Sequence, residues 1–264
     1  MFHENQKSWE NTQLHNPKKE KNMINTDLLK TSVVAWNEER KQKITEDLQD
    51  YLNPNLKFAM LKGCDLKKAF LFGARLSTAD LSRTDLEGSD IRQSNIAGSS
   101  FAWANLTDCD LSKSEIWGSS FYKATMIGCD FSDIRLSRGS LNKASFQSAD
   151  LFGSSIEECD LSYASLNHAN LERTIFSNMK MVGTDMRHAT MSGTIFCNVD
   201  LRRVRGLDTV QHNGPSEITL STLEKSDWQI PEYFLRGCGV SEEIIKYINL
   251  IVRKNQPKTL VSPA

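Results

Sequence analysis

Two of the five histidines, the six cysteines and a small group of aromatics are the residues of this 264-residue chain best suited to chemistry. His168 and His188 stand 20 residues apart, and so do Cys109 and Cys129. An imidazole pair can hold a metal ion or titrate as one pH-sensitive unit. A thiol pair can form a disulfide or bind a soft metal. Each use requires the two groups to be neighbours, and a metal requires more ligands than two. No C-x2-C spacing accompanies the cysteines, so no zinc site is read from them. There is no H-E-x-x-H and no Gly-rich loop that follows a strand and opens a helix. Serines are many, yet none forms a nucleophile–base arrangement. Trp103, Trp117, Tyr122 and Ile127 are large and apolar where most neighbours are polar. From Trp103, steps of 20 reach Arg83, Lys123, Lys143 and Tyr163.

Whether any of these residues meet depends on the elements that carry them, and the elements are written in one period. Every fifth residue from Leu56 to Leu201 is Leu, Ile, Phe or Met. On a helix every fifth side chain walks around the circumference, and on a flat strand it flips to the opposite face. All of these residues are buried together only if the chain turns once per pentad towards one axis, which is a solenoid. The residue two before each apolar centre is usually small, as at Ala59, Ala69, Ala74, Ser89, Ser94 and Ala104. One large and one small side chain per pentad fill a narrow interior without voids. The residue just before the centre is often Asp or Asn, as at Asp65, Asp80, Asp85, Asn105 and Asn170. Such side chains hydrogen-bond nearby backbone amides in turns. Cys64, Cys109, Cys129 and Cys159 occupy the small slot, where they read as small hydrophobes. Cys197 follows a centre, so it faces outward as the more reactive thiol. Ile134, Met179 and Val199 are oversized for the slot and Gly139 is undersized.

The stretches ADLSRTDLEGSD and SADLFGSS resemble the pentapeptide-repeat family, whose motif is A-(D/N)-L-x-x. The resemblance implies an all-β, right-handed quadrilateral β-helix with four pentads per coil. Thirty pentads then make about seven and a half coils, in a column about 35 Å long at the usual strand spacing. Residues 20 apart should stack in neighbouring coils. Cys109 would then lie beside Cys129, and His168 beside His188 on an outer corner, with no third ligand in that column. Met179 would lie over Gly139 with only Cys159 between them, so one is expected to offset the other in part. The column through Trp103 becomes either a self-contained ladder of rings and cations or a protein-binding patch. Trp, Tyr and Arg dominate interface hot spots, and both readings stand open.

The pentads divide the chain into a polar tail over 1–22, a helical cap over 23–54, the β-helix over 55–205 and a C-terminal cap or connector over 206–264. Leu29, Val33 and Trp36 form one helical stripe that should cover the first coil. A second short helix is expected around Thr45–Leu52, ending at Asn53-Pro54. Near the other end a turn is expected at Asn213-Gly214-Pro215 and a short helix at Pro231–Arg236. A longer helix is capped by Ser241, with Glu242 and Glu243 in its first turn. Its apolar residues cover more than one face, so one face should dock near Phe196. Ile245, Ile248 and Ile251 are therefore candidate contacts to a partner or a second copy. The stretches LLKTSVVAWNEER and NGPSEITLSTLEKSDWQIPEYFLRGCGVSEEIIKYINLI resemble the flanks of bacterial pentapeptide proteins. In larger members the segment that follows the pentads often connects to a signalling or effector domain.

Composition bounds the function. The chain is 39% apolar and 25% charged, with a formal net charge of -1, which fits a globular protein. The near-neutral balance lacks the basic stripe of a nucleic-acid binder. No run of 18 apolar residues suggests a membrane span, and no leader-like segment opens the chain, so a cytoplasmic protein is expected. No metal, cofactor or catalytic residue is read from the sequence. The favoured reading is a non-enzymatic protein-binding scaffold or adaptor, and the flanking segments imply a module of a bacterial signalling or defence assembly. Its candidate contacts are Trp103, Trp117, Tyr122 and Ile127 on the column and the C-terminal helix, through which a homo-oligomer is the alternative to a different partner. A DNA mimic that regulates a type II topoisomerase is the alternative implied by the family. It is disfavoured because residues 55–205 hold 17 acidic and 18 basic side chains. An enzyme is the third class, disfavoured by the missing cleft and motifs.

Overall fold

The structure is a computed structural model that describes residues 26–45 and 53–255. The tail expected over 1–22, and most of the helix expected around Thr45–Leu52, lie outside those residues. All thirty centres from Leu56 to Leu201 point inward and are at most 2% exposed. Two phenylalanine pairs stack within this interior, Phe101 on Phe121 at 4.9 Å and Phe176 on Phe196 at 5.4 Å.

The turns follow from the pentad. After each centre the chain makes two turn residues, and the second has φ between +53° and +71° from Phe58 to Asn198. At three corners of the coil the next N–H donates back to the carbonyl of the centre, as from Ala69 to Leu66 (3.1 Å) and from Ala104 to Phe101 (3.0 Å). A positive φ at the third position alone, with this hydrogen bond, is a type II turn. The Asp or Asn before the centre accepts the N–H two residues later, as Asp80 does from Ser82 at 2.9 Å and Asp130 from Ser132 at 2.8 Å. On the fourth side, from Ser99 onward, the slot N–H turns inward instead. Ser99 N–H donates to Ser119 Oγ (3.1 Å) and Gly139 N–H to Cys159 Sγ (3.2 Å).

That fourth side carries the regular strands. In chain order β1 (Asn95–Ala97), β2 (Glu115–Trp117), β3 (Arg135–Ser137), β4 (Ser155–Glu157) and β5 (Ile175–Ser177) pair in parallel, each 20 residues after the last. β6 (Thr190–Met191) belongs to a neighbouring side. β7 (Ile195–Cys197) follows β5, and β9 (Glu217–Ile218) completes a seven-stranded sheet. Isolated bridges at the same spacing run from Asn55↔Arg75 to Asp185↔Arg205. The result is a four-sided parallel β-solenoid. Slot hydroxyls tie successive coils together: Thr84, Ser114 and Thr174 donate to the carbonyls of Leu61 (2.8 Å), Ile91 (3.1 Å) and Leu151 (2.8 Å).

The ladder continues past residue 205, where the pentad spacing ends. β8 (Gln211–His212) pairs with β6 as Thr190↔Gln211, and β9 pairs with β7 as Ile195↔Glu217, so the step slips by one residue and then by two. Leu207 and Val210 keep this segment's interior filled. Gly139 needs no compensation from Met179. An added Cβ there would fall 3.0 Å from Leu136 and 3.2 Å from the Ser119 carbonyl oxygen, so that space is already occupied.

Helices close both ends. The expected N-terminal helix is broken at Ser32 into α1 (Thr26–Thr31) and α2 (Val33–Thr45), with Leu29 and Trp36 buried on the core. Asn37 donates to Lys68 O and accepts from Phe70 N–H, both at 2.8 Å, as a residue of an earlier coil would. Trp36 Nε1 donates to Phe70 O (3.0 Å) and Arg40 to Phe72 O (3.0 Å). Burial lowers the Arg40 pKa to about 10, which leaves the guanidinium charged at neutral pH over the Trp36 and Phe70 rings. At the far end are α3 (Leu220–Lys225), α4 (Glu232–Gly237) and α5 (Glu242–Asn255). Thr222 Oγ1 donates to Phe196 O (2.9 Å) and accepts from Val199 N–H (3.2 Å), while Leu201 N–H donates to Ser226 Oγ (3.0 Å). Phe234 of α4 packs edge-on against Phe196 at 5.7 Å. The residue that covers Phe196 therefore comes from α4. The longer helix α5 is tied to α4 by Arg236–Glu242 (2.7 Å) and Asn249–Glu232 (2.8 Å).

Candidate functional site

Position after the centre decides which corner a side chain occupies, and the outward aromatics divide accordingly. Trp103 and Tyr122 follow centres stacked one coil apart and meet at one corner. Their rings form a T-shaped pair at 5.9 Å, and Lys123 Nζ lies 4.0 Å from the Trp103 ring. This is the self-contained cluster of the two readings, with a cation–π contact of about 0.5–1 kcal/mol at an exposed site. The column continues upward through Lys143 to Tyr163. The Tyr163 ring lies against Gly183, where an added Cβ would fall 2.8 Å from it. Ile127, 37% exposed, sits beyond another turn, on a different corner from Trp103.

Trp117 is separate from that cluster. It ends strand β2, with Ala97 one coil below and Ser137 one coil above in the same register. Both neighbours are small, so both faces of the indole stay open and the residue is 55% exposed. An open notch of about 310 Å³ runs beside it, bordered by Glu115 and Arg135 two residues earlier on β2 and β3. Among the described residues, no ring or cation packs on Trp117, and Glu115 and Arg135 form no ion pair.

The C-terminal candidates fall on two sides of α5. Ile245 and Ile248 are 1% and 2% exposed and join the core, which corrects their reading as contacts for a partner. They fix the helix to the cap, and Ile251 at its border is half-buried. The uncovered apolar side is formed by Ile244, Tyr247 and Leu250. Phe58 and Met60 are also exposed, on the first coil. Their signal was a large apolar residue in the second turn position and in the usual Asp/Asn position.

The paired reactive groups do become neighbours. His168 and His188 stack at 5.0 Å, while no cluster of three or more His, Cys, Asp or Glu able to hold a metal occurs among the described residues. Cys109, Cys129, Cys159 and Cys238 are buried free thiols. Burial pushes the Cys109 pKa up to about 11, and those of Cys159 and Cys238 up to about 12. Cys64 and Cys197 are half-buried. No helix among the described residues is long and apolar enough to cross a membrane.

The family model "Pentapeptide repeats" matches residues 59–98, 99–138, 129–167, 140–178 and 164–203 in 8 copies, which together span more than half the chain. The solved structures similar to it include HetL from the cyanobacterium Nostoc sp. strain PCC 7120, a pentapeptide repeat protein involved in heterocyst differentiation regulation. The two chains are 22% identical with a TM-score of 0.56, over 61% of this chain and 76% of HetL. A trypsin-treated form of QnrB1, a plasmid-mediated fluoroquinolone resistance protein, is 16% identical with a TM-score of 0.51, over 61% of this chain and 80% of QnrB1. Both likenesses are likenesses of fold. No curated protein matches the chain.

Proposed function

Because the chain belongs to the pentapeptide-repeat family, whose members are typically non-catalytic structural or binding proteins, we propose that it is a non-enzymatic scaffold that presents a rigid surface to another protein. The observation that carries this reading is Trp117. A tryptophan on a flat parallel sheet, with both ring faces open and an acid and a guanidinium beside it, has the composition of an interface hot spot. Trp103, by contrast, is already engaged by Tyr122 and Lys123. The resemblance of the segment after the pentads to one that connects to a signalling or effector domain in larger bacterial proteins supports a role as a module of a signalling or defence assembly.

Mimicry of duplex DNA calls for a uniformly negative face. The column instead alternates its charges, with Lys67 between Asp85 and Glu87, Arg92 between Asp90 and Asp110, and Arg138 on Glu158. The test is affinity capture from host extract followed by mass spectrometry. Trp117→Ala should reduce recovery of a specific partner by about 30-fold, the size of a 2 kcal/mol hot spot. Unchanged recovery with Trp117→Ala, with loss in the Trp103→Ala, Tyr122→Ala variant, would move the site to the other corner. Retention in both variants would remove the column face from the proposal.

A further inference from the structure

Helix α5 keeps an apolar stripe that its own chain does not cover. Ile244, Tyr247 and Leu250 are 51%, 68% and 61% exposed, and Ile251 borders them. At 100° per residue Ile244, Tyr247 and Ile251 fall in one narrow sector, with Leu250 at its edge. Two charges close the ends of the stripe, Glu243 in the first turn and Lys254 in the last. They stand three turns apart, about 16 Å, and both fall in the sector between Leu250 and Tyr247. Neither has an ion-pair partner among the described residues, whereas Glu242 is held by Arg236.

We propose that α5 pairs antiparallel with α5 of a second copy of this chain, about a two-fold axis near its midpoint. The proposal rests on the protein-binding reading above and names one partner for it. A two-fold interface must be self-complementary, and the charge order of α5 supplies this. In an antiparallel pair the first turn of each stripe faces the last turn of its mate. Glu243 of each copy then meets Lys254 of the other, giving two ion pairs around Tyr247 packed on Leu250 and Ile251. A parallel pair would set Glu243 against Glu243 and Lys254 against Lys254. Antiparallel alignment also opposes the two helix dipoles. The area on one face of a 14-residue helix is well below the roughly 800 Å² per partner of a standard interface, so the dimer is weak and concentration-dependent.

Sedimentation equilibrium of the whole chain, from low micromolar to submillimolar concentration, tests the pairing. A monomer–dimer equilibrium is expected, weakened by salt because its ion pairs are exposed. Glu243→Lys and Lys254→Glu should each abolish it, the double exchange should restore it, and a mixture of the two single variants should form a heterodimer. Tyr247→Glu should leave only monomer. All three substituted side chains are on the surface, so thermal unfolding should match that of the parent. A chain that stays monomeric throughout overturns the proposal. So does a dimer that survives Tyr247→Glu and both charge reversals. Neither result touches partner capture through Trp117, so the two readings fail separately.

Discussion

A buried side chain in this molecule has neighbours in the coils above and below, and the cost of a substitution follows from that. Leu111 and Leu151 are at most 1% exposed. Leu111→Asp or Leu151→Asp should lower stability by at least about 3–5 kcal/mol, because the interior offers a carboxylate no partner. Denaturant unfolding measures it. The turn positions predict the opposite sign. Lys113 has φ +60°, with no side-chain hydrogen bond or ion pair among the described residues, a conformation that costs an L-residue about 1–2 kcal/mol. Lys113→Gly should therefore stabilise the protein by roughly 0.5–1 kcal/mol after the entropy of the added glycine in the unfolded chain. A raised denaturation midpoint is the expected readout. Thiol reactivity divides in the same local way. A disulfide reagent at neutral pH should modify Cys64 and Cys197 quickly and the four buried thiols only on unfolding, since the thiolate is the nucleophile and burial raises its cost.

At the scale of elements, the β-helix was legible and its ending was not. The thirty centres fixed the interior because a five-residue period leaves one way to bury them. The left-handed turn residues were hidden, because Lys, Arg, Trp, Tyr and His occupy them as often as Gly does, and coil closure overrides local preference. The segment after Gly206 was hidden for another reason. Its strands pair at slipped spacings, so no fixed period marks them. Of the candidate contacts, helix amphipathicity showed that α5 must dock but not which isoleucines do so, and Ile245 and Ile248 proved to be the docked ones. Residue type alone also could not separate Trp117 from Trp103, since only the register places small neighbours on either side of the first. That last segment carries a pH dependence. His212 of β8 packs edge-on against Tyr233 (5.8 Å) and Phe234 (5.6 Å), with both ring nitrogens buried and without hydrogen-bond partners. Burial lowers its pKa. The unfolded chain therefore binds the proton more readily, and stability is lost as pH falls below the ordinary histidine value of about 6.5. Hydrogen exchange of α4 and α5 should speed up from pH 7 to pH 5, and His212→Phe should flatten that dependence.

The whole molecule is a stack whose ends are chemically open and whose middle is not. At the first coil Asn37, Trp36 and Arg40 satisfy backbone groups of residues 68, 70 and 72, and at the last coil Thr222 and Ser226 do the same for 196, 199 and 201. Removing residues 1–53 should uncover a sheet edge and the apolar face of the first coil, and edges of this kind pair with one another. The truncated chain is expected to elute as large aggregates on size exclusion. A soluble monomer from that truncation would show that the first coil closes without α1 and α2.

The uniform 20-residue step has a consequence for how such a chain changes over generations. Any whole coil between the two helical ends meets the same ladder above and below, so duplicating or losing 20 residues leaves both junctions intact. Loss of a number that is not a multiple of 20 puts everything downstream out of register with the coils below. Length in this molecule is therefore quantised, like rungs on a ladder, while the slipped spacings at Gln211 and Glu217 act as the terminus at which counting stops. The distance between the surfaces carried by α2 and α5 would then be inherited in increments of one strand spacing, about 4.8 Å.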